Sequence, residues 1–275
     1  MTLGYAIRRF CIGCLEFPII FLRSAGTCIL YGGFFIGTVI MGMPFYGALV
    51  LLVRNGAKRR YILRNTVRMT NRIFILSGAI LGCFRVKCDE LNKIAPLKGA
   101  IIIANHPSLI DALILTSRFG PSACVMVKKS LLHGFMRSLI LNLGYANNES
   151  PFEELQKKLA DGDSLILFPE GTRTKNYEKM SFHRGAANLA CRLDFPIYTI
   201  FIDCSNRDYL NKGFFACRAP NKVPVYNVRC GPLIKWREIA EDCDSKPLAA
   251  RKLNKYLEEL YKQRLSRTEG INDAE

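Results

Sequence analysis

The stretch AIIIANHPSLIDALIL, Ala100–Leu115, decides how this chain is read. Ala100–Ala104 is apolar and rich in β-branched residues, which predicts a buried strand. It runs directly into Asn105, His106 and Pro107, and an apolar run then resumes with Asp111 inside it. Pro107 suits the first position of a helix, so a helix is expected over Ser108–Leu115. In an open α/β sheet, function gathers where strands end at their C-termini. Five helical residues rotate by about 140°, so a regular helix would not put His106 and Asp111 on one face. A histidine just before the helix can instead fold its ring back over the first turn. A carboxylate on one ring nitrogen then fixes the tautomer, and the other nitrogen is left to take a proton. The same residues also fit a plain structural reading, a capping histidine and an aspartate welcome at a helix N-terminus.

A second stretch repeats the design. In SLILFPEGTRT, Ser164–Thr174, an apolar strand ends at Pro169 and Glu170–Gly171–Thr172–Arg173 follows. Gly171 lets a ligand approach the backbone, and Arg173 offers a planar fork matched to phosphate oxygens. The alternative is a Pro-x-Gly turn with a surface arginine. Further apolar runs at Ala123–Val127, Pro196–Ile202 and Val223–Arg229 alternate with helical patterns at Pro151–Ala160 and Gly185–Arg192. A charged helix is expected at 248–265. This alternation predicts an α/β fold with a central, largely parallel sheet and flanking helices, preceded by an N-terminal helical membrane element.

That element is the segment Ser24–Val53, which carries no charged residue. It exceeds the roughly 20 residues needed to cross a bilayer, but MGMPFYG, Met41–Gly47, suggests a bend. Either a single tilted span or a hairpin returning to the same leaflet fits. Arg8, Arg9 and Arg23 precede the segment and Arg54, Lys58 and Arg59 follow it. Basic flanks on both sides favour the hairpin, with the downstream domain on the cytoplasmic face. Arg60, Arg64, Arg68 and Arg72 recur every four residues, a stripe on one helix face expected to lie on anionic lipid headgroups. The domains are therefore expected as 1–72, membrane anchor plus basic helix; 73–265, α/β domain; and 266–275, flexible tail.

The net charge of +16 calls for an anionic partner. Nucleic acid fits poorly, because no binding motif is present and no aromatic residues interleave the stripe. Eleven scattered cysteines, with one C-x-x-C at Cys11 and Cys14, read as reduced thiols, and no spacing suits a metal site.

Taken together, NHPSLID and FPEGTR resemble the lysophospholipid acyltransferase family, typified by 1-acylglycerol-3-phosphate acyltransferase. The first family block, N-H-x4-D, is matched by Asn105, His106 and Asp111, and the F-P-E-G-T-R block by Phe168–Arg173. Val127–Lys128–Lys129, Phe182–His183–Arg184–Gly185–Ala186 and Pro196–Ile197–Tyr198 resemble the intervening and later family features, so the likeness covers about residues 75–235. It implies acyl transfer at a membrane, with His106 as base, Asp111 orienting it, and Glu170, Gly171, Thr172, Arg173 and Lys128 on the substrate. The donor would be acyl-CoA or an acyl-carrier protein, the acceptor a lysolipid hydroxyl, with no tightly bound cofactor and no metal. One block departs: LGYANNES, Leu143–Ser150, has Asn147 and Asn148 near the place of the family's arginine, which puts the usual acceptor in doubt. His183 stands where the family often has lysine. A lipid or thioester hydrolase and a non-catalytic membrane-binding protein stay open, although G-x-S-x-G is absent.

Overall fold

The structure, a computed structural model, describes residues 3–94, 97–134, 136–174, 176–211 and 219–272, with side chains described from 17 to 266. The side chains of Arg8, Arg9, Cys11 and Cys14 and the last three residues of the predicted tail lie outside this range. Helix α1 (Leu3–Ile40) passes through a π-turn at Met41–Phe45 into α2 (Tyr46–Leu52). A short turn leads to α3 (Gly56–Ile80) and β1 (Arg85–Lys87). Then follow β2 (Ile101–Ala104), α4 (Asp111–Phe119), β3 (Ala123–Val125), α5 (Arg137–Leu143), α6 (Phe152–Ala160) and β4 (Ser164–Leu167). The chain ends with α7 (Gly185–Leu193), β5 (Ile197–Cys204), β6 (Val225–Ile234), α8 (Trp236–Ala240) and α9 (Lys246–Asn272).

The six strands form one sheet in the order β1-β6-β5-β2-β4-β3. Every neighbouring pair is parallel except β5–β6, which is antiparallel. The sheet is thus largely parallel, as expected, and its central strands are buried on both sides. Alternation along β2 divides the core: Ile101 and Ile103 face one apolar cluster with α7 and α9, while Ile102 and Ala104 face the other with α3 and α4. Strand β1 escapes sequence reading because it is only three residues, Arg-Val-Lys, two of them exposed. The C-terminal helix begins two residues before the expected 248 and continues to Asn272, beyond 265.

The N-terminal quarter corrects two expectations. Phe17–Leu52 is one helical run of 36 residues, long and apolar enough to cross a membrane. Met41–Gly47 does not turn the chain back: Pro44 sits in the π-turn, whose widened hydrogen-bond ring accommodates the missing N–H. The reversal lies at Val53–Asn55, where Val53 is extended and the Asn55 side chain caps α3 by accepting from the Lys58 N–H at 2.9 Å. Helix α3 then returns alongside α1, with Phe74 in edge contact with Tyr31 and Phe34.

The arginine stripe faces the α/β domain. Arg64 is buried, pairs with both oxygens of Asp163 at 2.5 and 3.0 Å, and donates to the carbonyls of Leu143 and Pro121 at 2.8 and 2.9 Å. Arg72 donates to the Ser117 carbonyl at 3.0 Å. A four-residue repeat shows that arginines share a face but not what that face meets, and here it meets carbonyls and a carboxylate. Toward its C-terminal half α3 exposes Met69, Ile73, Leu76 and Ile80, beside exposed Ile29, Phe35, Ile36 and Val39 of α1, while Lys58, Arg60, Thr70 and Arg72 are exposed as well. The described cysteines, among them buried Cys83, Cys124 and Cys204, are free thiols.

Candidate active site

Strand β2 ends at Ala104, and the side chain of Asn105 extends its pairing to β5. Its Nδ2 donates to the Ile202 carbonyl and its Oδ1 accepts from the Ile202 N–H, both at 2.7 Å. This fixes where the chain leaves the sheet and presents His106. Helix α4 starts at Asp111, not at Ser108 as the proline suggested. The delay has a physical reason. The N–H of Ser108 donates to Asp111 Oδ2 at 2.8 Å and its hydroxyl to Asp111 Oδ1 at 2.6 Å, so these residues form a turn around the carboxylate. Asp111 is fully buried in the first helical turn, where the helix N-terminus also favours its charge.

His106 Nδ1 lies 2.7 Å from Asp111 Oδ2. The ring therefore meets the carboxylate from outside the helix, as the spacing predicted. With Nδ1 engaged, Nε2 is the nitrogen left for chemistry. The ring is one-fifth exposed and stacks on Phe168 with centroids 4.5 Å apart. Phe168 belongs to the second motif, and so does the carboxylate that receives the His106 main-chain N–H, Glu170 Oε1, at 2.8 Å. Thr174 N–H closes the circuit on the His106 carbonyl at 3.0 Å. Burial pushes the Glu170 carboxyl up from the ordinary range, and the bond from His106 pulls against that rise. The N–H groups of His106, Gly171 and Thr174 all have protein partners, so none is left to stabilise an oxyanion.

The other predicted residues divide. Gly171 has φ +62°, which favours glycine, and an added Cβ would also crowd the His183 ring at 2.9 Å. Lys128 is exposed beyond the end of β3 and lines a cavity of about 720 Å³ of mixed character, in which Gly171, His183, Asn147 and Asn148 stand beside apolar residues such as Phe152 and Leu189. Arg173 turns the other way and donates to the Asn211 carbonyl, while Asn211 itself donates to the Pro107 carbonyl at 2.8 Å. Thr172 is exposed. A second cavity of about 270 Å³ is lined by His106 and by apolar side chains including Phe34, Phe74, Leu109, Ile110 and Leu139. Val127 lines both cavities. Sequence reading missed Ser108 as the holder of Asp111, though S-x-x-D is a capping spacing and lay in plain view.

The structure thus brings His106 and buried Asp111 together at the end of β2, with His106 lining the apolar cavity. Residues 85–203 match the family model described as Acyltransferase. The chain is 27% identical over 165 residues to mouse 1-acyl-sn-glycerol-3-phosphate acyltransferase alpha, covering 56% of this chain and 57% of that one. It is 26% identical over 181 residues to the human beta enzyme, covering 61% and 62%. The chain thus spans less than two thirds of the length of these relatives. In fold it is similar to the 1-acyl-sn-glycerophosphate acyltransferase PlsC of Thermotoga maritima, with a TM-score of 0.63, 21% identity, and 89% of this chain and 96% of that one covered.

Proposed function

We propose that this protein transfers a fatty acyl group from an acyl thioester to a hydroxyl of a lysophospholipid or similar lipid at a membrane surface. The observation that carries the reading is the 2.7 Å contact between His106 Nδ1 and Asp111 in a site that opens on an apolar cavity. His106 Nε2 takes the proton of the acceptor hydroxyl, and Asp111 stabilises the imidazolium that results. The acceptor oxygen attacks the thioester carbonyl carbon, and the tetrahedral intermediate collapses with loss of thiolate. The thiolate then recovers the proton from His106. The acyl chain occupies the apolar cavity, and the acceptor headgroup the larger one.

The donor is acyl-CoA or an acyl-carrier protein; both are anionic and suit a chain of net charge +16. The apolar run Phe17–Leu52 and the outward face of α3 enter the bilayer, with the α/β domain on its cytoplasmic face beside exposed Arg54 and Lys58. The test is purified full-length protein in detergent with a labelled acyl thioester and a panel of lysolipids. Acylated lipid is expected. Free fatty acid alone would make the protein a hydrolase, and no turnover across the panel would make it a binding protein.

A further inference from the structure

The larger cavity, lined by polar and apolar residues, departs from what a bare phosphate would need, in three ways. It is long: both Gly185 and Arg192 line it, and seven residues along α7 span about 10 Å. It offers donors. The Oδ1 atoms of Asn147 and Asn148 are already taken by the N–H groups of Glu149 and Lys129, each at 2.8 Å, so their NH₂ groups are left for a ligand. Lys128 and Arg192 add charge, and among the described residues that line the cavity there is no carboxylate. Two of its aromatic rings already have a partner on one face: Arg192 lies 5.4 Å above the Phe152 ring, and His106 stacks on Phe168.

We propose that this cavity selects a lysophospholipid whose phosphate is a diester bearing a second, hydroxyl-rich group, with Arg192 meeting that far group. Naming the ligand an acceptor rests on the acyl-transfer reading above. A phosphate near Lys128, Asn147 and Asn148 finds one cation and two neutral donors where the family pattern has an arginine. A single-charged diester is matched to that, and hydroxyls accept from the remaining donors. A choline or ethanolamine headgroup finds no carboxylate among the described lining residues.

The test separates binding from turnover. Full-length protein with His106→Ala, in neutral detergent micelles, is titrated with lysophosphatidylglycerol, lysophosphatidic acid and lysophosphatidylcholine of one chain length. Lysophosphatidylglycerol should bind at least about tenfold more tightly than lysophosphatidylcholine, as expected for one charge-assisted hydrogen bond. Adding Arg192→Gln, an exposed position where folding is not at stake, should cost lysophosphatidylglycerol about tenfold and leave lysophosphatidic acid unchanged. Equal binding of the choline lipid, no effect of Arg192→Gln, or no lipid bound would overturn the proposal. So would displacement of lysophosphatidylglycerol by 3′-phosphoadenosine 5′-phosphate, which would give the cavity to the nucleotide of the donor. If the wild type acylates no lipid while the His106→Ala protein keeps this preference, acyl transfer falls and the headgroup site stands.

Discussion

The main-chain N–H of His106 ends on the carboxylate of Glu170, 2.8 Å away, although the two residues lie 64 positions apart. The two sequence motifs are therefore one structural unit: the second motif holds the backbone of the first. The arrangement costs stability, because the carboxyl that holds His106 is itself buried and its pKa is raised by that burial.

A carboxyl with a raised folded-state pKa binds its proton more tightly when folded. Its contribution to stability is therefore most favourable at acid pH and is lost as pH rises from the ordinary carboxylate range through the raised value. Glu170→Gln keeps an oxygen for His106 and removes that dependence. The variant should melt higher than wild type at neutral pH, with the difference vanishing below the ordinary glutamate pKa. Parallel melting curves at every pH would show that the Glu170 pKa is the same in the folded and unfolded protein.

His106→Ala should lower turnover at least about a hundredfold, the low end for a positioned general base. Asp111→Asn should be nearly as damaging, since an amide permits the wrong tautomer. The circular dichroism of both proteins should match wild type. A fully active His106→Ala enzyme would remove the mechanism.

Ser108→Ala deletes the 2.6 Å hydroxyl contact on Asp111 and keeps the main-chain N–H bond. We expect turnover to fall by about tenfold, the lower figure for a hydrogen bond to a charged group. The acid limb of the pH–rate profile should move, because the charge that orients His106 is less well held. A profile with unchanged limbs would make Ser108 a packing residue.

Arg64→Met strands Asp163 without its partner. Arg64 is buried and Asp163 part-buried, so the melting temperature should fall, though by less than for a fully buried pair. A variant as stable as wild type would show that Arg64 can leave the interface without loss.

The outward face of α3 can be tested without touching its inward arginines. The double variant Ile73→Glu, Leu76→Glu changes two exposed residues, so the fold should persist. Vesicle binding should weaken, and what wild-type binding remains at high salt should be the part these residues supply. Unaltered flotation of the double variant would exclude this face as a lipid contact.

The sheet and the pair of motifs were legible because their signals are local. Ala100–Ala104 and Ser164–Phe168 are short apolar runs that end in polar residues, and each becomes a strand with its functional residues at the end. What sequence could not give was partnership. The spacing of Arg64 and Arg72 identifies a shared face, yet Asp163 lies 99 residues from Arg64 and carries no mark of the pairing. Arg173 matches the family position, but its direction toward Asn211 depends on how residues 208–211 pack. Pro44 reads as a break, since the chain's ability to widen one helical turn is invisible in composition.

That widened turn also governs how the long N-terminal helix is phased. Gly42 sits within it so close to α5 that an added Cβ would lie 2.9 Å from the Leu139 nitrogen, and its carbonyl accepts from Ser138 and from Asn142. Everything after Met41–Phe45 is rotated relative to an unbroken α-helix. In that rotated frame Leu49 turns inward to join Leu63, Leu139 and Leu143. Each residue of an α-helix advances the face by about 100°. Deleting one residue of regular helix between the turn and Leu49 would swing Leu49 by about 100° out of that cluster, while the chain length changed by one residue in 275. The apolar helix is thus keyed in azimuth to the domain beneath it, and shortening it is not equivalent to trimming a spacer.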